Sequence, residues 1–217
     1  MNNLIKSAFL KRQEHIPIGT DSYRLFDGVS DGMDGVYIDN FAGHYLVSYI
    51  NDKPRVPINL NLQEKSIWIK KLNKDQKLPP TCLKGDPKSP NVEITENHAR
   101  FEIDFSAGYS QGIFLDQRDN RLKVIERASN IRVLNCFSYT CCFSVVAALG
   151  GAESTTSIDL SKSYLEWGKK NFILNNIKER DENHFFCKGD VFEWLKQFNR
   201  KGRKFGLVIV DPPSFSR

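Results

Sequence analysis

The chain has 217 residues, of which 40% are hydrophobic and 26% are charged, and this composition excludes collagen-like, disulfide-framework and fully disordered proteins. Its 31 Lys and Arg residues against 26 Asp and Glu residues give a net charge of +5, which is compatible with a polyanionic partner without requiring one. The five cysteines include no C-x-x-C pair, so we expect reduced thiols and no metal site. No apolar run approaches the roughly 18–20 residues that cross a bilayer, so we also expect no membrane partner and a cytoplasmic location.

The beginning of the sequence predicts a small α+β domain over residues 1–78. Apolar residues at helical spacing among basic ones predict a short helix over 4–15. Short β-type runs at 36–38 and 45–50, separated by glycine-containing turns, predict an antiparallel hairpin. Residues 64–72 fit either a helix or a strand.

A proline-rich stretch predicts a linker over 79–91, followed by a second domain over 92–217. That domain opens with a predicted hairpin, and from residue 129 onward strand-like runs alternate with helical stretches. The predicted strands are 131–134, 154–158, 184–187 and 205–210, and the predicted helices lie near 143–149, 161–175 and 191–199. This rhythm indicates a parallel sheet with covering helices, which the right-handed crossover rule makes a doubly wound, Rossmann-like α/β fold.

A polar residue stands at or just after the end of each predicted parallel strand: Asn135, Asp159, Asp190 and Asp211. Because ligands of open α/β sheets bind beyond the carboxyl ends of the strands, we expect these four side chains to converge on one crevice. Asp159 follows Asn135 at close to the spacing of about 20 residues at which an acid accepts hydrogen bonds from a ribose. The alternative for Asp159 is that it caps the helix that follows it.

The loop after the first parallel strand contains no G-x-G-x-x-G, so NAD and FAD are poor candidates. A cofactor with one nucleoside and no pyrophosphate fits better, and S-adenosylmethionine is the natural choice. The segment 211–215, D-P-P-S-F, closes the fourth strand with a rigid turn that could hold a planar base, although prolines there could also simply end the strand.

Five segments in order along the chain, 112–121, 135–144, 147–152, 157–161 and 211–215, resemble the class I S-adenosylmethionine-dependent methyltransferases that modify bases of 23S ribosomal RNA. The most similar members are the large-subunit enzymes of the cytosine-C5 and guanine-N7 type. The resemblance implies a methyltransferase that acts on an RNA base, with rRNA as partner and S-adenosylmethionine as cofactor. It leaves a homo-oligomer open.

By that resemblance, Asp159 would bind the ribose hydroxyls, Asp190 with Val191 the adenine, and residues 135–140 the methionine portion. The full cofactor-binding set is Phe114, Asp116, Gln117, Arg118, Asn135, Phe137, Ser138, Tyr139, Thr140, Asp159, Leu160, Asp190 and Val191. The residues that would meet the target base are Asp211, Pro212, Pro213 and Phe215. A surface ion pair between Asp116 and Arg118 is the alternative for those two.

Two departures from the family pattern favour a second hypothesis. Cys141 and Cys142 stand where family members have glycine, and the sequence ends just after the fourth strand, whereas the family's sheet continues further. We therefore also expect a truncated enzyme, and the alternative function is a catalytically inactive homologue that binds RNA or a protein. Cys136, Cys141 and Cys142 are expected to be packing residues and not nucleophiles.

Basic residues of the first domain are candidates for phosphate contacts: Lys6, Lys11, Arg12, Lys65, Lys70, Lys71, Lys74 and Lys77. The alternative is that they form solvated faces, which is the commoner role of lysine-rich segments.

Overall fold

A computed structural model describes residues 2–51, 54, 60, 62–72, 77–178 and 182–213. The chain forms two compact units, Met1–His98 with Glu102–Leu115, and Ala99–Phe101 with Asp116–Arg217. The sequence had placed the boundary in a linker over 79–91, but part of that stretch is a strand of the first unit. Within the described ranges no helix is long and apolar enough to span a membrane.

The first unit is built on a five-stranded sheet in the order β1-β2-β3-β4-β5. Its elements are α1 (Asn2–Gln13), β1 (Ser22–Asp27), β2 (Val36–Phe41), β3 (His44–Tyr49), β4 (Ser66–Lys71) and β5 (Thr81–Lys84). The predicted hairpin is confirmed as β2 and β3, which pair antiparallel from Val36 opposite Tyr49 to Phe41 opposite His44. The ambiguous stretch 64–72 contains a strand, β4, which pairs parallel to β3.

Apolar residues of α1 pack against the inward face of this sheet. Ile5 and Ala8 of the helix are 0% and 2% exposed and belong to one core cluster with Leu25, Ile38 and Val47 of the strands. The spacing of Ile5 and Ala8 puts them on one side of the helix, and Lys6 between them is exposed. The predicted second hairpin is present as β6 (Asn91–Glu96) and β7 (Ala99–Asp104), which form a two-stranded sheet.

The second unit contains the predicted parallel sheet. Its strands are β8 (Arg132–Cys136), β9 (Ser154–Asp159), β10 (His184–Lys188) and β11 (Leu207–Val210), in the order β10-β9-β8-β11. All three pairings are parallel. The helices are α2 (Arg118–Arg127), α3 (Cys142–Leu149), α4 (Lys162–Leu174) and α5 (Val191–Arg200). The doubly wound α/β architecture predicted from the alternating runs is thus confirmed.

Candidate functional site

The chain changes direction at β8, and this creates the crevice that the sheet offers to a ligand. From β8 the chain moves first to β9 and β10 on one side, and later returns to β11 on the other side. The strand order therefore reverses at β8, between its neighbours β9 and β11. In open α/β sheets a ligand binds at such a switch point.

The loop after β8 has an unusual backbone. Phe137, Tyr139 and Cys141 have φ values of +57°, +49° and +60°, which is the left-handed region, although none of them is glycine. Each such residue costs on the order of 1–3 kcal/mol and persists only where the surroundings fix it, which is typical of ligand sites. We call residues 137–141 the left-handed loop.

The end of β9 fixes this loop through hydrogen bonds. The Ser138 amide donates to the Ile158 carbonyl at 2.9 Å, and the Tyr139 amide donates to Asp159 Oδ2 at 2.8 Å. Asp159 Oδ1 accepts a second bond, from the Ser161 amide at 2.8 Å. Asp159 therefore joins the left-handed loop to the beginning of α4.

The Asp159 carboxylate retains the capacity to bind a ligand. Its burial raises its pKa above the usual 3.8, an effect that the bonds from the Ser161 and Tyr139 amides oppose. Each carboxylate oxygen has two lone pairs, so both can accept a further bond from a sugar hydroxyl. The capping role belongs to Ser161, whose side chain accepts from the Tyr164 amide at the start of α4.

Asp190, in contrast, does cap a helix. Its Oδ1 accepts hydrogen bonds from the Phe192 and Glu193 amides at 2.9 and 3.1 Å, which makes it the N-cap of α5. The next residue, Val191, is 4% exposed and belongs to the core cluster with Leu134 and Ile158. The structure thus gives both residues a structural role at the place where the sequence predicted an adenine contact, and that contact stays a prediction.

Asn135 does not project into the crevice, contrary to the expectation that four polar side chains converge there. Its Nδ2 donates to Ser144 Oγ at 2.9 Å, and Ser144 Oγ lies 2.7 Å from Ser157 Oγ. All three residues are at most 2% exposed. Asn135 precedes the last residue of β8, so its side chain points into the sheet's covering layer and links β8, α3 and β9.

Exposed apolar side chains lie next to the acids at the strand ends. Of these apolar residues, the sequence analysis had named only Leu160 as a cofactor contact. Leu160 is 68% exposed beside Asp159, and Phe192 is 64% exposed near Asp190. A carboxylate for the sugar with apolar surface for the base is the combination that a nucleoside requires. The residues present therefore fit a nucleoside-bearing cofactor.

The other predicted site residues differ in placement. Asp211, Pro212 and Pro213 are exposed directly after β11, and Phe215 lies outside the described residues. Phe114 belongs to the first unit and is 52% exposed. Asp116 is exposed, and Gln117 Oε1 accepts a hydrogen bond from Asn120 Nδ2 at 2.8 Å. Arg118 forms an ion pair with Asp119 at 3.1 Å, which differs from the pair with Asp116 that was the alternative for these residues.

The cysteines near the crevice are packing residues. Cys136 and Cys141 are at most 1% exposed. Desolvation raises the pKa of the Cys136 thiol, and it raises that of Cys141 to about 12. Both are therefore protonated at neutral pH, whereas a nucleophile must be a thiolate.

Two of the basic residues proposed for phosphate contacts are already engaged within the first unit. Arg12 forms a bidentate pair with Asp31 at 3.1 and 2.6 Å, and Lys70 is 6% exposed and donates to the Gly108 and Tyr109 carbonyls. Both side chains are therefore held by partners within the unit. Lys6, Lys11, Lys65, Lys71 and Lys77 are exposed, and Lys74 lies outside the described residues.

Comparisons with known proteins agree with this geometry. The family model described as S-adenosylmethionine-dependent methyltransferase matches residues 70–217. The ribosomal RNA large subunit methyltransferase I of Yersinia pseudotuberculosis is 35% identical over 209 residues, which cover 91% of this chain and 52% of that protein. The chain thus spans about half the length of the curated relatives it matches.

Two solved structures are similar to the whole chain. SMU.776, a proposed methyltransferase complexed with SAH, aligns with a TM-score of 0.88 at 31% identity, covering 100% of this chain and 58% of that chain. A proposed SAM-dependent methyltransferase from Streptococcus mutans aligns with a TM-score of 0.87 at 30% identity, covering 99% and 58%.

Proposed function

Since the chain belongs to the family of S-adenosylmethionine-dependent methyltransferases, we propose that its second unit binds S-adenosylmethionine at the crevice beyond β8 and β9 and methylates a base of RNA. The observation that carries the proposal is the left-handed loop bonded to Asp159. This arrangement holds a strained backbone against a half-buried carboxylate at the switch point of the sheet.

The proposed cofactor contacts follow from the positions of these groups. Asp159 would accept from the ribose hydroxyls, and the exposed Leu160 would cover one face of the adenine. Val191 and the Asp190 cap would form the floor beside the adenine. Residues 137–140 of the left-handed loop would enclose the methionine portion. Asp116 and Gln117, just before α2, and Arg118, the first residue of α2, remain proposed contacts.

The cofactor, when bound, supplies an electrophilic methyl group on a positively charged sulfur. The chain's own residues orient it, and the apolar side chains around the crevice exclude water. The turn Asp211-Pro212-Pro213 would meet the target base, because its prolines fix the chain direction and leave carbonyl oxygens that can accept from a base N–H. A base in a helix must first leave its stack to reach such a turn.

The RNA substrate is proposed from the relatives and from charge. Relatives that cover most of this chain are named as ribosomal RNA large subunit methyltransferases, and the net charge of +5 favours association with a polyanion. We therefore propose 23S rRNA as the substrate. Assembly into a homo-oligomer stays a prediction from the sequence.

The decisive experiment is a calorimetric titration of the chain with SAH, with methyl transfer from labelled S-adenosylmethionine to rRNA measured in parallel. We expect saturable binding that Asp159→Asn weakens by about 10–100-fold, because bonds to a charged acceptor contribute about 1.5–3 kcal/mol. Glu166→Gln is the control, since Glu166 is an exposed acid on α4 that pairs with Lys169. Absence of binding, or equal affinities for both variants, would refute the cofactor site. Binding without methyl transfer to rRNA would refute the substrate.

A further inference from the structure

One face of α4 lies against the left-handed loop. Tyr164, Trp167, Gly168 and Asn171 are spaced three and four residues apart, so they share this face. The Tyr139 ring packs edge-on to Tyr164 with centroids 4.5 Å apart, and lies 6.3 Å from the Trp167 ring. Asn171 Nδ2 donates to the Thr140 carbonyl at 3.0 Å. The helix therefore contacts consecutive residues of the loop.

Gly168 occupies the point where helix and loop come closest. A Cβ atom at position 168 would lie 2.5 Å from Cys141 Sγ and 2.8 Å from Cys141 Cβ. Both distances are shorter than the contacts that Cβ atoms make with other heavy atoms in proteins, and Gly168 and Cys141 are both buried. The Cys141 side chain thus fills the space that any side chain at position 168 would need.

Cys141 has little freedom to yield to such a side chain. Its backbone is left-handed, its side chain is 0% exposed, and its thiol lies 3.7 Å from Ser138 Oγ and 3.8 Å from the Tyr139 carbonyl. Displacement of Cys141 would move Tyr139 and Thr140 with it, because the three residues are consecutive. Tyr139 is the residue whose amide bonds to Asp159.

We propose that Cys141 and Gly168 are a size-matched pair through which α4 sets the position of the left-handed loop, which makes Gly168 a positioning residue for the cofactor. The inference rests on the proposed function, because the loop is where the methionine portion would bind. It also explains how this chain accommodates a cysteine in the loop: the volume that the cysteine adds is absent from the facing helix.

The test is a double-mutant cycle of Gly168→Ala and Cys141→Gly, with SAH affinity and the thermal midpoint measured for all four proteins. In the natural background Gly168→Ala should raise the Kd for SAH at least about tenfold and lower the midpoint. In the Cys141→Gly background the clash is absent, so the affinity should change by less than about threefold. The midpoint should then rise, because alanine is the better helix former.

Gly168→Ala should lower the thermal midpoint in the natural background and raise it in the Cys141→Gly background. This change of sign distinguishes a size-matched pair from a substitution that simply destabilises the helix. Glu166→Ala is the matched control on the exposed side of α4, and should leave the affinity unchanged in both backgrounds. Equal effects of Gly168→Ala in the two backgrounds, on affinity and on midpoint, would overturn the proposal. Failure of the unmodified chain to bind SAH would overturn the proposed function instead, and the midpoints would still decide whether the two side chains compete for one space.

Discussion

Replacing Ser144 with alanine removes the central hydroxyl of the buried chain that runs from Asn135 through Ser144 to Ser157. Asn135 Nδ2 then loses a 2.9 Å bond and Ser157 Oγ loses a 2.7 Å bond, in a region at most 2% exposed. A buried polar group that loses its partner costs about 1–3 kcal/mol. Ser157 can turn to the Cys141 thiol, which it also reaches, so most of the cost falls on Asn135. Alanine returns about 0.5 kcal/mol as the better helix former, which leaves a net destabilisation of about 1.5 kcal/mol.

Native-state hydrogen exchange on peptides of β8 and β9 measures this effect in the second unit alone. The slowest amides should exchange roughly tenfold faster in Ser144→Ala, because 1.4 kcal/mol corresponds to a factor of about ten. Ser163→Ala is the control, since its hydroxyl bonds to Ser161 at an exposed site, and it should change exchange by less than about threefold. If Ser144→Ala behaves like this control, the three side chains do not form a stabilising network.

Two further predictions concern the first unit. Burial would raise the pKa of Asp31, but the bonds from Arg12 and the Asp27 amide hold it below 3.8, so the stability it contributes is present above about pH 4 and is lost as the pH falls through the lowered value. Arg12→Ala should therefore lower the free energy of unfolding in urea by about 2 kcal/mol at pH 7, which is less than the cost of breaking a fully buried pair because Arg12 is partly exposed. The loss should become smaller towards pH 2, and a loss that does not change with pH would contradict the ion pair. Burial raises the pKa of Tyr45 to about 12, so the protonated phenol contributes stability below pH 10 that is lost as the pH rises between about 10 and 12. Tyr45→Phe should shift alkaline unfolding, followed by circular dichroism, to higher pH, and an unchanged midpoint would show that the phenol ionises without unfolding the unit.

The parts of the fold that could be predicted from the sequence are those where the pattern of apolar residues matches the residues that are buried in the structure. The runs that became β8, β9 and β10 are short, β-rich and flanked by amphipathic helices, so only one architecture satisfies them. The stretch 64–72 stayed ambiguous because β4 is buried along nearly its whole length, which removes the alternation that distinguishes strand from helix. The strand β5 was hidden among prolines, because its short length makes it hard to separate from an extended connector.

At the site, the sequence predicted the positions of residues at the strand ends better than it predicted the hydrogen bonds of their side chains. Asp159 and Asp190 both stand at or after the end of a parallel strand, yet Asp159 joins the left-handed loop to the beginning of α4 and Asp190 caps a helix. The difference lies in where the helix begins: Asp190 directly precedes the first residue of α5, whereas Asp159 lies three residues before the first residue of α4, whose cap is Ser161. The sequence pattern does not locate a helix end to within one or two residues. Asn135 was misplaced because a polar residue near a strand end was expected to face solvent, whereas Ser144 of α3, which itself contacts Ser157 of β9, provides it with a buried partner.

The left-handed loop affects how fast and at what entropic cost a ligand can bind. Its backbone is fixed by β9 and α4, so the conformational freedom of residues 137–141 is given up when the chain folds and not when the ligand arrives. A ligand that fits this loop need not order it, and its affinity is not reduced by a minor population of the competent shape. Association should then proceed in a single kinetic phase whose rate rises linearly with ligand concentration, as for a rigid surface and not for a closing lid.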